Sequence, residues 1–280
     1  MDIRQCGHAV IVDFAVVSGA SAGALVAAHA LTFAIGRRIG RYNVVDMTWG
    51  LGFIAVAALA AILGDGDAIR RWLLLALVAI WGLRLSYYIY RRSVGQGEDR
   101  RYADLLRGAS VGQVIRKVFL VQAVATWFIS LPLQLSAVLG PTPRRWLGIT
   151  VVGVLVWVAG FVFEALGDRQ LRVFKSDPAH HGVVMDRGLW AWTRHPNYFG
   201  DACVWWGVWL ISIADWRSLT TVLSPLLMTY FLVHVTGARL TEKYMRGRPG
   251  FDEYKARTSF FVPRPPRCTP RSAHNDDRRR

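Results

Sequence analysis

The run Trp146-Leu-Gly-Ile-Thr-Val-Val-Gly-Val-Leu-Val-Trp-Val-Ala-Gly-Phe-Val-Phe-Glu-Ala-Leu166 holds one ionisable residue, Glu164, in its 21 positions. As a helix rising about 1.5 Å per residue it covers the ~30 Å of a bilayer's hydrocarbon core. A helix is required there, because lipid offers no partner to a backbone N–H or C=O. Charge bounds the run on both sides, Arg144-Arg145 before it and Asp168-Arg169 after it.

Comparable runs lie near Phe14–Ile35, Val44–Leu63, Trp72–Tyr90, Phe119–Leu139, Tyr198–Ala214 and Leu219–Thr236. The fold expected is therefore an all-α polytopic membrane protein of about seven transmembrane helices. None of the runs shows the period-2 alternation of a β-barrel. The whole chain agrees: 280 residues, 53% hydrophobic, mean hydropathy +0.27, formal charge +15. The basic residues alternate with apolar runs instead of forming a stripe, which argues against nucleic acid as a partner. Cys6, Cys203 and Cys268 have neither disulfide-framework nor zinc spacing, and no metal site is expected. The first run is too long for the core of a signal peptide and reads as a retained span.

Alternating the loops across seven spans gathers 27 Lys and Arg on one side and six on the other, with Arg84 inside a span. The positive-inside bias then sets the N-terminus outside and the C-terminus in the cytoplasm. No repeat of fixed period divides residues 1–262, which read as one membrane domain. Residues 263–280, rich in Pro, Arg, Ser and Asp, read as a basic disordered cytoplasmic tail.

Three segments carry chemistry. In Gly188-Leu-Trp-Ala-Trp-Thr-Arg194-His195-Pro196-Asn197-Tyr198-Phe-Gly-Asp201, Pro196 favours an extended residue before it and a helix start after it. Such a start, beside Arg194 and His195, suits a phosphate or carboxylate. In Glu164-Ala-Leu-Gly-Asp168-Arg-Gln170-Leu-Arg172-Val-Phe-Lys175, helical spacing puts Glu164, Asp168 and Arg172 on one face. Carboxylates at a membrane edge are functional candidates, and Arg172 and Lys175 suit a nucleotide phosphate. In Trp81-Gly-Leu-Arg84-Leu-Ser-Tyr87-Tyr88-Ile-Tyr90-Arg91-Arg92, one tyrosine on the face of Arg84 and Arg91 turns inward, Tyr87 or Tyr88 by spacing. Asn43 and Asp46 open the second span. Gly50-Leu-Gly52-Phe-Ile-Ala55 has the letters of a dinucleotide fingerprint but lies within a span, so its glycines serve helix packing.

From about Asn43 to Pro263 the chain resembles the C-terminal domain of the steroid 5α-reductase family, in particular its bacterial branch of unassigned function. The resemblance rests on Asn43 with Asp46 and Trp49-Gly50, Trp81 with Arg84-Leu85, Gln122, Pro132 and Phe163-Glu164. It continues through Asp168-x-Gln170-Leu171-x-x-Phe174-Lys175, Arg194-His195-Pro196-Asn197-Tyr198-Phe199-Gly200, Glu242-Lys243 and Phe251 to Tyr254. It implies an integral protein of the bacterial plasma membrane, open to the cytoplasm, that binds NADPH and reduces a carbon–carbon double bond in a lipophilic substrate. By carry-over, Asn197 and Asp201 hold the nicotinamide end, and Arg172, Lys175 and Arg194 the phosphates. Glu164, Asp168, Gln170, His195, Tyr198 and Tyr254 complete the cofactor set. Tyr88, in Tyr-x-x-Arg91, matches the family's catalytic tyrosine; its glutamate has no clear equivalent, and Asp46 stands in for it.

Arg194 to Gly200, Glu242 and Tyr254 also resemble membrane methyltransferases of the isoprenylcysteine and phospholipid type, which would make S-adenosylmethionine the cofactor. A third reading is a non-enzymatic lipid-binding or transport protein, with Asp13, Arg84 and Glu164 marking a pathway.

Overall fold

The computed structural model describes residues 3–266, with side chains from Val10 onward; residues 267–280, most of the expected tail, lie outside the described residues. The chain is an all-helical polytopic membrane protein. Its elements are α1 (Ile3–Ile39), α2 (Val45–Leu63), α3 (Ala68–Ser93), the short α4 (Arg100–Leu105) and α5 (Val111–Ser136). There follow α6 (Leu147–Ser176), α7 (Pro196–Ser212), α8 (Leu223–Tyr230), α9 (Ala238–Met245) and α10 (Phe251–Arg257). Among the described residues the one β-type pairing is a bridge between Thr193 and Ser259.

Six helical stretches are long and apolar enough to cross a membrane: Val10–Ile39, Val45–Leu63, Ala68–Ser93, Val111–Ser136, Arg144–Ser176 and Trp216–Met245. The other expected span, near Tyr198–Ala214, is α7, whose 17 residues reach about 25 Å, short of the ~30 Å core. It stops because Asp215 begins a new turn, its carboxylate accepting from the backbone N–H groups of Arg217 (2.9 Å) and Ser218 (3.3 Å). α6, conversely, outruns the apolar run that announced it and carries Glu164 to Lys175 on the same unbroken helix.

The chain divides into two compact units, Met1–Trp157 with Trp205–Met228, and Val158–Val204 with Thr229–Arg280. In the first unit α2 and α3 meet backbone to backbone. A Cβ on Gly50 would stand 2.6 Å from the Ser86 hydroxyl and 2.7 Å from the Gly82 carbonyl, so only glycine permits the approach. That contact upholds the packing role read for Gly50. Nearby, Phe53 sits between Trp205 (ring centres 4.2 Å apart) and Trp81 (5.7 Å), with Trp49 against its edge.

Arg70 closes the opposite end of this unit. It is 3% exposed and donates to the Ser136 and Thr142 hydroxyls at 2.8 Å and to the carbonyls of Leu139 (2.6 Å), Ser136 and Gly140 (both 3.0 Å). These carbonyls lie at and just beyond the end of α5, where the N–H donors of a continuing helix are missing. Arg71 likewise donates to Ala61 (2.6 Å) and Gly64 at the end of α2. Two of the six cations on the sparsely charged side are thus helix caps.

Arg70→Met should lower stability by at least ~3 kcal/mol, because several buried carbonyls lose a charged donor together. Thermal melting in detergent reads this, and a melt matching wild type would show the cap to be dispensable.

Candidate functional site

In the first unit, Asp46 lies in the first turn of α2 and accepts a short hydrogen bond from the Tyr102 hydroxyl. Gln122 Nε2 donates to the same phenol oxygen at 3.2 Å, and Arg101 stands 3.5 Å from Asp46. Tyr102 is 9% exposed and packs among Val45, Val114, Val118 and Phe119. Burial, reinforced by the Asp46 carboxylate, holds the phenol well above the usual tyrosine range. Glu98 anchors the same loop, accepting from the Tyr42 (2.6 Å) and Asn43 (3.0 Å) N–H groups that precede α2. A π-helical turn, Ile115–Leu120, stands just before Gln122; such turns recur at functional sites.

Tyr88 is half-buried, with Arg84 and Arg92 each 6.0 Å from its ring centre, whereas Tyr87 and Tyr90 face outward. Arg84 lies four residues before Tyr88 and Arg92 four residues after it, so helical spacing puts both cations by the ring. The partners of Asp46 are Tyr102 and Arg101, so the carboxylate expected beside Tyr88 is bound to a different phenol.

In the second unit Gly160 and Gly200 bring α6 and α7 into contact. A Cβ on Gly200 would lie 2.5 Å from both the Glu164 N and the Gly160 O, and one on Gly167 would lie 3.2 Å from the Asn197 N. That contact gathers Glu164 (2% exposed), Asp168 (4%), Asp201 (7%) and Asn197. Asn197 Nδ2 donates to Asp168 Oδ1 at 3.1 Å, while its buried Oδ1 has no hydrogen-bond partner among the described residues. The spacing of Glu164 and Asp168 thus reports a buried face, while Arg172 and Lys175 are exposed.

Other residues read as cofactor ligands hold the approach to α7 in place. Gln170 Oε1 accepts from the Leu189 N–H at 3.0 Å and lies against Gly188, whose φ of +60° excludes a side chain. Tyr254, 2% exposed, donates from its hydroxyl to the Trp190 carbonyl at 2.7 Å. Burial raises this phenol above its ordinary range. Arg194 donates to Glu242 (2.6 Å) and to the Thr258 (2.8 Å) and Lys255 (3.2 Å) carbonyls, and its backbone N–H to Ser259 O (2.9 Å). His195 Nε2 lies 3.2 Å from the same Glu242 oxygen, and its ring stacks on Tyr198. The Tyr198 hydroxyl reaches Thr241 at 3.4 Å. These contacts engage the Nε and Nη1 groups of Arg194, and Arg239, Arg246 and Lys255 are the neighbouring cations.

Sequence reasoning missed Tyr102, Arg101 and Glu98 as functional candidates. Their signal was Glu98-Asp99-Arg100-Arg101-Tyr102, two adjacent acids in an otherwise basic loop. It also missed Arg239 and Arg246, which stand about two helical turns apart on α9 and its cap, and Lys255, which comes from α10.

Burial holds the His195 imidazole below its usual value, outweighing the opposing pull of Glu242. The unfolded chain then binds more protons than the folded one below about pH 6.5, so stability falls as pH falls. Between about pH 7.5 and 5.5 the wild type should lose more stability than His195→Gln, by at most about 1.4 kcal/mol per pH unit. Parallel melts across that range check this; equal losses would remove His195 as the titrating group.

Comparison with known proteins adds a lineage. An uncharacterized protein of Schizosaccharomyces pombe is 25% identical over 232 residues, which span 72% of this chain and 66% of the yeast protein, just under two thirds of that relative's length. No solved structure matches the chain. A family model matches residues 32–258, most of the length, and the chain belongs to that family, DUF1295, described as proteins of unknown function.

Proposed function

We propose that this protein is an NADPH-dependent membrane reductase that saturates a carbon–carbon double bond in a lipophilic substrate, with its cofactor site at the cytoplasmic face of a bacterial plasma membrane. The observation that carries the reading is the buried cluster at the Gly160–Gly200 contact. There the Asn197 Oδ1 lacks a donor and three acids, Glu164, Asp168 and Asp201, lie within the same unit. An unmet buried acceptor costs about 1–3 kcal/mol, which a bound ligand with N–H or O–H donors recovers. A primary carboxamide with its N–H₂ group, next to a ribose diol, fits such a set, because carboxylates accept from sugar hydroxyls.

NADPH, when bound, supplies the hydride for the β-carbon of a double bond conjugated to a carbonyl. The chain's own part is to orient and to handle the proton. Asn197 and Asp201 hold the nicotinamide end, with Glu164 and Asp168 as neighbouring acceptors. Asp168 fixes Asn197 through the 3.1 Å bond from its Nδ2. In the first unit, Tyr88, flanked by Arg84 and Arg92, carries the proton-donor role that the family resemblance assigns to it. Asp46 acts through Tyr102 and holds the loop after α3 against the start of α2.

A second reading, S-adenosylmethionine-dependent methyl transfer, is favoured by one contact: Glu242, Arg194 and His195 form a single cluster, and all three belong to the methyltransferase-like pattern. Cofactor fluorescence and thermal shift with NADPH, NADH and S-adenosylmethionine separate the two, since a ligand of the folded state raises its stability. NADPH should stabilise the wild type, and Asn197→Ala should weaken that binding by roughly 10- to 100-fold. Undiminished NADPH affinity in Asn197→Ala would refute the site, and a response to S-adenosylmethionine alone would replace the reductase with the methyltransferase. Tyr88→Phe should leave binding intact and slow turnover.

A further inference from the structure

The second unit carries a cavity of about 340 Å³ lined by Arg194, Arg239, Glu242, Arg246, Lys255 and Phe260, with the side of Phe251 completing it. Four cations face one carboxylate. That carboxylate is occupied already, because Glu242 accepts from Arg194 and lies beside His195. Arg194 is anchored, its Nε–H given to Glu242 and its Nη1 to two backbone carbonyls.

What is left is Arg239 and Arg246, for which no carboxylate partner occurs among the described residues, and Lys255, whose nearest acid is the exposed Asp252 at 3.8 Å. Both guanidiniums nearest the floor lie over the Phe260 ring, Arg194 at 5.2 Å and Arg239 at 5.9 Å from its centre. A guanidinium held over a ring by cation–π attraction keeps its in-plane N–H donors for another partner. Like charges collected around a cavity repel, and an anion with several acceptor oxygens turns that repulsion into charge-assisted hydrogen bonds. The cavity is also large enough for more than an inorganic ion.

We propose that Arg239, Arg246 and Lys255 form a phosphate-binding site, whose wall is held in place by the Arg194–Glu242 pair and the Phe260 ring. The ligand is a phosphorylated molecule carrying at least two phosphate charges. Two sources offer that chemistry, the phosphates of a soluble nucleotide and the headgroup of an anionic lipid. Assigning the site to the 2′-phosphate end of NADPH rests on the reductase reading above; the phosphate site does not.

The test uses the full chain in detergent and in lipid nanodiscs. Inorganic pyrophosphate, ADP-ribose and 2′-phospho-ADP-ribose are titrated by thermal shift, and nanodiscs of phosphatidylcholine are compared with nanodiscs containing phosphatidylglycerol. Pyrophosphate and 2′-phospho-ADP-ribose should stabilise the wild type. Arg239→Gln with Arg246→Gln should weaken both by at least about tenfold, the cost of removing a charge-assisted contact. Lys255→Gln, on a separate helix, should weaken both as well, and Arg248→Gln, outside the cavity, should not. All four side chains are exposed, so size-exclusion profiles should match wild type.

A preference for 2′-phospho-ADP-ribose over ADP-ribose that disappears in the double variant supports the nucleotide source. If pyrophosphate binding and a phosphatidylglycerol effect both depend on the arginine pair while ADP-ribose and its 2′-phosphate add nothing, the phosphate site stands and the NADPH reading fails. Absence of binding by any of these anions, or affinities unchanged in both the double variant and Lys255→Gln, overturns the proposal.

Discussion

Close approach of helix backbones at glycine is the constraint on which the rest of this structure depends. In lipid, apolar side chains gain little by leaving one apolar medium for another, so helices associate through packing and interhelical polar contacts. Gly50 and Gly82 let α2 and α3 touch in the first unit. Gly160 and Gly200 do the same for α6 and α7 in the second, where a Cβ would stand 2.5 Å from the neighbouring backbone. Polar side chains beside each contact are forced together: Asp168 with Asn197 in one case, Ser86 with the Met47 carbonyl in the other.

The second unit separates residues that hold from residues that stand ready. Arg194, His195, Gln170 and Tyr254 look alike in sequence as polar groups near a helix start, and in space they are fasteners. They tie Gly188–Pro196 to α6 through Gln170, to α9 through Glu242, to α10 through Tyr254 and to the segment after α10 through the Ser259 carbonyl. Asn197 keeps a buried oxygen with no hydrogen-bond partner among the described residues, and Arg239, Arg246 and Lys255 line the cavity with exposed side chains.

The first unit shows the same division. Asp46 closes a loop by accepting from Tyr102, and Glu98 caps the start of α2. Both are carboxylates in a strongly basic stretch, and both are held by donors that come from elsewhere in the chain. Tyr88 keeps its place between Arg84 and Arg92 on a single helix. Helical periodicity alone brings those three together.

The all-helical membrane architecture was legible in the sequence because each span must satisfy its own backbone, so hydropathy over some twenty residues suffices. The packing role of Gly50 and the inward face of Glu164 and Asp168 followed from helical spacing for the same local reason. The partner of Asp46, the anchoring of Arg194 and the meeting of Lys255 with Arg239 and Arg246 were settled by tertiary structure. Each of these depends on contacts between residues far apart along the chain, such as Asp46 with Tyr102 or Arg194 with Glu242, and no local period encodes which distant donor reaches which acceptor.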